Sequence, residues 1–184
     1  ALAAFGRLDG VVPCAGFQHV APVEEFPEDR WDALLAVLLT SPFLLARYAW
    51  PALRASGDGR LVVIASVHGL AASPFKAGYI SAKHGVLGLV KTLALEGAQD
   101  GIAAVAICPG YVRTPLVENQ IADQAAVRGI GVDEVMDTVI LARQARRQLI
   151  EPSLVADAVV YALGPAGLSL TGTPLVLGNG WTAS

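Results

Sequence analysis

The stretch "RLVVIASVHGLAASPFKAGYISAKHG", Arg60 to Gly85, joins a short apolar run to a helical pattern through a turn of small residues. Its first part, "RLVVIAS", is rich in Val, Ile and Leu and closes on small residues, as a strand buried on both faces of a parallel sheet does. From about Ala77 to Ala98 the apolar residues fall at helical spacing, so the stretch predicts strand, turn and helix in that order. Polar side chains gather at the join: Ser66, His68, Lys76, Tyr79 and Lys83.

Working outward, "GVVPCAG", "IAAVAICPG" and "TPLVLGNG" carry the same strand pattern. Between them the spacing predicts a helix from about Asp29 to Ser56, with Pro51 as its kink. A helical excursion in two pieces, about 115–147, has Gly129 and Gly131 in its middle and reads as a lid over a substrate. The last helix runs over about 152–163, with Pro152 and Ser153 in its first turn and Gly164 as its stop. No repeat or linker interrupts the series. Strands alternating with helices over 184 residues predict an α/β fold, a Rossmann-like doubly wound parallel sheet in one domain, 1–184.

A hydrophobic content of 54% suits one ordinary core. The net charge of -3 and pI near 5.5 lack the clustered cations that nucleic acid or an anionic membrane requires. "ALLAVLLTSPFLLA" is cut by Thr40 and Ser41 before it reaches the roughly 18 apolar residues of a membrane span. The reading is a soluble, cytoplasmic protein with a small-molecule partner. Cys14 and Cys108 are too few for a disulfide framework and are read as reduced. Three histidines, with no C-x-x-C or H-E-x-x-H spacing, supply no ligand set for a metal.

Ligands in such sheets bind beyond the carboxyl ends of the strands, which is where Ser66 falls. Tyr79 and Lys83 are four apart on the following helix, hence on one face. A lysine ammonium beside a phenol favours the phenolate, and a tyrosine brought down from its ordinary value near 10 exchanges protons with an alcohol or ketone. Ser66 can hydrogen-bond the same oxygen. Taken singly, each residue has an ordinary explanation: Y-x-x-x-K arises by chance, a strand-end serine serves a turn, His68 is a polar loop residue, and Lys76 is a solvated charge. Joint placement is what points to a site. Ser66 with His68 also raises a hydrolase, but the serine lacks a G-x-S-x-G elbow and a residue two places away is badly placed to act as its base.

"IAS", then Tyr79 thirteen residues after Ser66, then Lys83 and "ICPGYVRTP" at Ile107 to Pro115, resembles the short-chain dehydrogenase/reductase superfamily. The runs "FQHVAPVEEFPEDRWDALLA", "SVHGLAASPFKAGYISAKHGVLGL", "YVRTPLVENQIADQA" and "GWTAS" are similar to its D-3-hydroxybutyrate dehydrogenase branch. The resemblance implies hydride transfer between NAD and a short 3-hydroxy acid. It makes Tyr79 the acid/base, Lys83 its partner and a ribose ligand, and Ser66 the residue that polarises the carbonyl. Cys14, Ala15, Gly16, Pro109, Gly110, Val112 and Thr114 would join Tyr79 and Lys83 around the cofactor. Gln18, His68, Lys76 and Gln120 would surround the substrate carboxylate, with Trp181 nearby. A homotetramer pairing its long helices is also implied, for which Ala55, Gly57, Gly85 and Gly88 offer small surfaces.

Several positions depart from the family pattern. "PCAG", Pro13 to Gly16, stands for "NNAG"; Leu38 aligns with the asparagine that completes the catalytic tetrad; Gly178 replaces an acidic residue in "LGNGW". No G-x-x-x-G-x-G turn occurs in the 184 residues. The resemblance therefore implies the later part of a longer protein, the fourth to seventh strands, with earlier strand and helix units before Ala1. The departures also raise a non-catalytic relative serving as a structural or binding subunit.

Overall fold

The computed structural model describes residues 1–183; Ser184, the end of the quoted "GWTAS", lies outside the described residues. Four parallel strands form one sheet in the order β1 (Gly10–Val11), β2 (Gly59–Ile64), β3 (Ile102–Pro109), β4 (Pro174–Leu177). The helices are α1 (Leu2–Phe5), α2 (Glu28–Leu35), α3 (Ser41–Ser56), α4 (Ala77–Gly97), α5 (Pro115–Arg128), α6 (Val132–Val135), α7 (Pro152–Leu163) and α8 (Ala166–Ser169).

Successive side chains of a strand point to opposite faces, and β2 uses this to build two cores. Leu61 and Val63 join Val86 and Val90 of α4 and Ala46 of α3 on one face. Val62 joins Ala158 and Ala162 of α7 on the other. Every residue of β3 is buried, as expected for a strand covered on both sides. The doubly wound arrangement read from the apolar runs is the one found.

Three elements differ from expectation. β1 is two residues long rather than the whole of "GVVPCAG", because Pro13 has no N–H to give the ladder. Its carbonyl still accepts from the Ile64 N–H at 3.0 Å. The long helix is interrupted not at Pro51, which lies inside α3, but at a π-helical turn, Ala36–Thr40. Finally α8, unforeseen, fills the connection between α7 and β4.

The run from Glu28 to Ser56 is long and apolar enough, by length and composition, to cross a membrane. Here it lies on the domain instead: Leu34 and Leu38 pack with Ala82 of α4, and Leu53 is fully buried. The excursion over 115–147 is two helical pieces, with Gly129 in a left-handed conformation (φ 64°) closing α5 and α6 running into a second π-helical turn, Met136–Ile140. They share a small core with Tyr111, Val117 and Ile140.

Candidate active site

Beyond the end of β2, Ser66 caps a 3-10 turn, Val67–Gly69, its Oγ accepting the His68 N–H at 3.1 Å. The turn lies directly on α4: a Cβ on Gly69 would stand 2.7 Å from the Lys83 carbonyl oxygen. Glycine is what lets His68 come this close to the helix carrying Tyr79 and Lys83. Lys76 sits at the start of α4. The preceding Phe75 is held at φ 69°, a strained conformation for an aromatic residue, and its carbonyl accepts the Ala21 N–H at 3.0 Å.

Two cavities meet at this point. The larger, about 660 Å³, is lined by Cys14, Gly16, Pro109, Gly110, Val112 and Thr114, with Ser66, Tyr79 and Lys83 at its polar end. The smaller, about 40 Å³, is lined by Gln18, His68, Lys76, Tyr111 and Gln120. Ser66, Tyr79 and Gly110 line both and form the boundary. Of the residues expected here, Ala15 lines neither cavity. Trp181 lines neither as well, but its ring backs His68 with centroids 5.2 Å apart.

Burial governs the electrostatics. Lys76 is 2% exposed; its Nζ donates to Gln120 Oε1 at 2.8 Å and to Tyr111 Oη at 3.3 Å. Burial first, then the charge of Arg128, pulls its ammonium down to about 7. No carboxylate pairs with it among the described residues. The His68 imidazole is held near 3 by burial and then by the charges of Lys76, Arg143 and His84, so it is neutral at pH 7. Its Nε2 meets Ser73 Oγ at 3.0 Å. Neither residue is the solvated surface group that its type alone suggests. Gln18 Oε1 is buried with no hydrogen-bond partner.

Tyr79 differs from expectation. Burial raises its phenol, the Ser66 hydroxyl opposing this, rather than Lys83 lowering it. Lys83 Nζ lies 5.6 Å from the Tyr79 ring centroid, donates to the Ile64 carbonyl at 2.7 Å, and is itself pulled by burial to about 8. The two groups are desolvated together, so each favours its neutral form.

Leu38 is 2% exposed and packs in an apolar group that includes Phe17 and Tyr79. The π-helical turn around it survives without the family's asparagine, closed by the Ser41 N–H to the Ala36 carbonyl. At Gly178 a Cβ would stand 3.3 Å from Val67 Cγ1, so the end of β4 comes close to the His68 turn and leaves little room for an acidic side chain. Cys14 is exposed and Cys108 buried; both are free thiols. Among the described residues no group of His, Cys, Asp or Glu is placed to hold a metal.

Two residues at the site were missed by sequence reasoning. Arg143 stacks over Trp181, 4.0 Å from the ring centroid, and donates to the Ala72 carbonyl at 3.3 Å. Nothing local in "LARQARR" marks it. Tyr111 stands between Gly110 and Val112, both expected at the site, and that position was the available signal.

A family model described as short chain dehydrogenase matches residues 1–125. The chain belongs to the short-chain dehydrogenase family. This short-chain dehydrogenase is 47% identical over 179 residues to a D-beta-hydroxybutyrate dehydrogenase of Rhizobium meliloti, covering 97% of this chain and 69% of that protein. A D-beta-hydroxybutyrate dehydrogenase of Cupriavidus necator is 41% identical, with the same coverage. Among solved structures, an actinorhodin polyketide ketoreductase variant with NADPH superposes with a TM-score of 0.92 at 30% identity, over 100% of this chain and 70% of that one. A 4-hydroxyisoleucine dehydrogenase mutant with NADH and succinate gives 0.85 at 28%, over 100% and 72%. The family makes the protein an oxidoreductase with a small-molecule substrate and a nicotinamide cofactor. The larger cavity fits the nicotinamide end of such a cofactor, being largely apolar along its walls, with Ser66, Tyr79 and Lys83 at one end and the Thr114 hydroxyl as further polar groups.

Proposed function

We propose that this short-chain dehydrogenase transfers a hydride between NAD and a short 3-hydroxy acid, 3-hydroxybutyrate or its 3-oxo partner, with Tyr79 as the acid/base. The observation that carries the proposal is Lys76, a buried ammonium without a counter-ion, in a small cavity opening onto Ser66 and Tyr79. A buried cation is costly unless something pairs with it. A substrate carboxylate does so, with His68, Gln18 and Gln120 as neutral neighbours. At about 40 Å³ the cavity has room for about three water-sized groups, at roughly 10–15 Å³ each, which suits a carboxylate. The reacting carbon then rests at the boundary, against Ser66 and Tyr79.

In the reducing direction Ser66 hydrogen-bonds the ketone oxygen and Tyr79 Oη gives it a proton as the carbon receives hydride. Burial keeps the phenol protonated, which suits this direction. In oxidation the same oxygen returns its proton to Tyr79. NAD, when bound, supplies the hydride donor or acceptor; Gly16, Pro109, Gly110, Val112 and Thr114 would hold its nicotinamide end, with Cys14 at the edge. The choice of NAD rests on the resemblance to the D-3-hydroxybutyrate dehydrogenase branch; of the two solved neighbours, one carries NADPH and the other NADH. Within a single domain we take 115–147 as the substrate lid, since α5 delivers Gln120 to Lys76.

A cytoplasmic homotetramer completes the reading. α3 leaves Phe43, Leu44, Leu45 and Tyr48 exposed, and α4 leaves Leu95 exposed, an apolar surface suited to helix pairing. Of the small residues expected there, Gly57 is used as the left-handed cap of α3 and Gly85 is used against Leu39, which leaves Ala55 and Gly88 open.

The test is Tyr79→Phe. It is expected to lower kcat by about 10²-fold or more while NAD affinity stays unchanged, because only the proton donor is lost. A variant keeping more than about a tenth of wild-type kcat sinks the assignment. Wild-type protein that binds NAD but turns over no 3-hydroxy acid favours the structural-subunit reading, to which Leu38 in place of asparagine points.

A further inference from the structure

We infer that Tyr111 is a further specificity-determining residue, its hydroxyl joining Lys76 in holding the substrate carboxylate. This rests on the proposed reading of the small cavity.

The argument is an accounting of donors. Lys76 Nζ has three N–H groups and directs one at Gln120 Oε1 and one at Tyr111 Oη, which leaves one unspent. Gln120 is committed as well, its Nε2 donating to the Leu116 carbonyl at 3.2 Å. The Tyr111 oxygen receives from Lys76, so its own O–H faces away from that bond, and it has no acceptor among the described residues. Two donors on different elements thus converge on one cavity, one from the start of α4 and one from the loop after β3. A carboxylate has two oxygens and accepts both.

Position is fixed for Tyr111 as firmly as for Lys76. Its carbonyl accepts the Ile150 N–H at 2.9 Å, and its ring stands edge-on to His68 with centroids 6.0 Å apart. It is 6% exposed, and burial pushes its hydroxyl up to about 12, so it remains a donor wherever the enzyme works. A phenol is neutral and therefore adds no further charge for Arg128 and Lys76 to repel. It contributes direction: a neutral donor beside the ammonium fixes how the carboxylate plane is turned, and so which face of the ketone is presented to the hydride.

The experiment is Tyr111→Phe, which keeps the ring against His68 and Lys76 and removes only the hydroxyl. Calorimetric titration of 3-oxobutanoate and of the uncharged ketone 4-hydroxybutan-2-one, with NAD present, reads affinity whether or not turnover occurs. The acid should bind about ten- to a hundredfold more weakly to the variant, the loss expected for a hydrogen bond to a charged group. The ketone should change by less than about twofold. An unchanged affinity for the acid, or an equal weakening of both ligands, overturns the inference. If the ketone binds too weakly to titrate in either protein, the acid comparison decides, with an unchanged urea midpoint showing that the variant is folded. Wild-type protein that binds the acid, loses it on Tyr111→Phe, and turns over neither ligand leaves the inference standing and sinks the proposed function instead.

Discussion

Replacing Lys76 with methionine is expected to make the protein more stable at neutral pH and less able to hold a 3-oxo acid. The ammonium is 2% exposed, with neutral partners at 2.8 and 3.3 Å, and burial with Arg128 takes it from 10.5 to about 7. At pH 7 the unfolded chain holds this proton fully and the folded chain about half of the time. The folded state is therefore penalised by about 4 kcal/mol at pH 7 and about 2 kcal/mol at pH 9. The sign follows from proton binding: between about pH 7 and 10.5 the unfolded state binds more protons, so stability rises with pH across that window. Methionine abolishes the dependence and fills similar space, but removes the donor to Gln120 Oε1 and the longer, weaker one to Tyr111 Oη, which together cost about 1 kcal/mol. A net gain of about 3 kcal/mol is expected at pH 7, narrowing by about 2 kcal/mol at pH 9. The narrowing is the firmer quantity, because the lost hydrogen bonds are the same at both pH values. Urea midpoints of both proteins at pH 7 and 9 read it directly, because folded His68 is neutral across this range and Lys83, whose shift owes nothing to Lys76, titrates in both and cancels. A variant less stable than wild type at pH 7, or a gap that ignores pH, would refute the picture of a buried cation awaiting its anion.

Two further substitutions test the surroundings of the site. Leu38→Asn restores the family's asparagine but places an amide in the apolar group around Leu38, so urea unfolding should show a loss of about 2 kcal/mol or more; unchanged stability would mean that the amide finds partners in the π-helical turn. Gly88→Ala meets nothing within 4 Å and should stabilise α4 by about 0.5–1 kcal/mol in a monomer; loss of stability, together with a smaller species in sedimentation, would instead place Gly88 in a contact between chains.

Local pattern carried much of this molecule. The alternation of Leu61, Val62 and Val63 dictates a strand covered on both faces, because side chains of a strand alternate whatever surrounds them. Pro152 and Gly164 bound a helix at the residues found, since proline suits a first turn and glycine ends a helical run. The four-residue step from Tyr79 to Lys83 places both on one face of a helix by geometry alone. Other features belong to the tertiary structure. Lys76 and Gln120 are far apart in sequence and meet only when α5 folds over the start of α4. Tertiary packing also places Tyr111 at the cavity and Arg143 against Trp181. Pro51 was read as the break in the long helix, yet the π-helical turn at Ala36–Thr40 is where α2 gives way to α3, beside the packed Leu38. The direction of the Tyr79 shift also went the other way from the local reading. Spacing shows that a lysine can approach a phenol, but desolvation depends on everything packed around both groups, and that sum exists only in the folded chain.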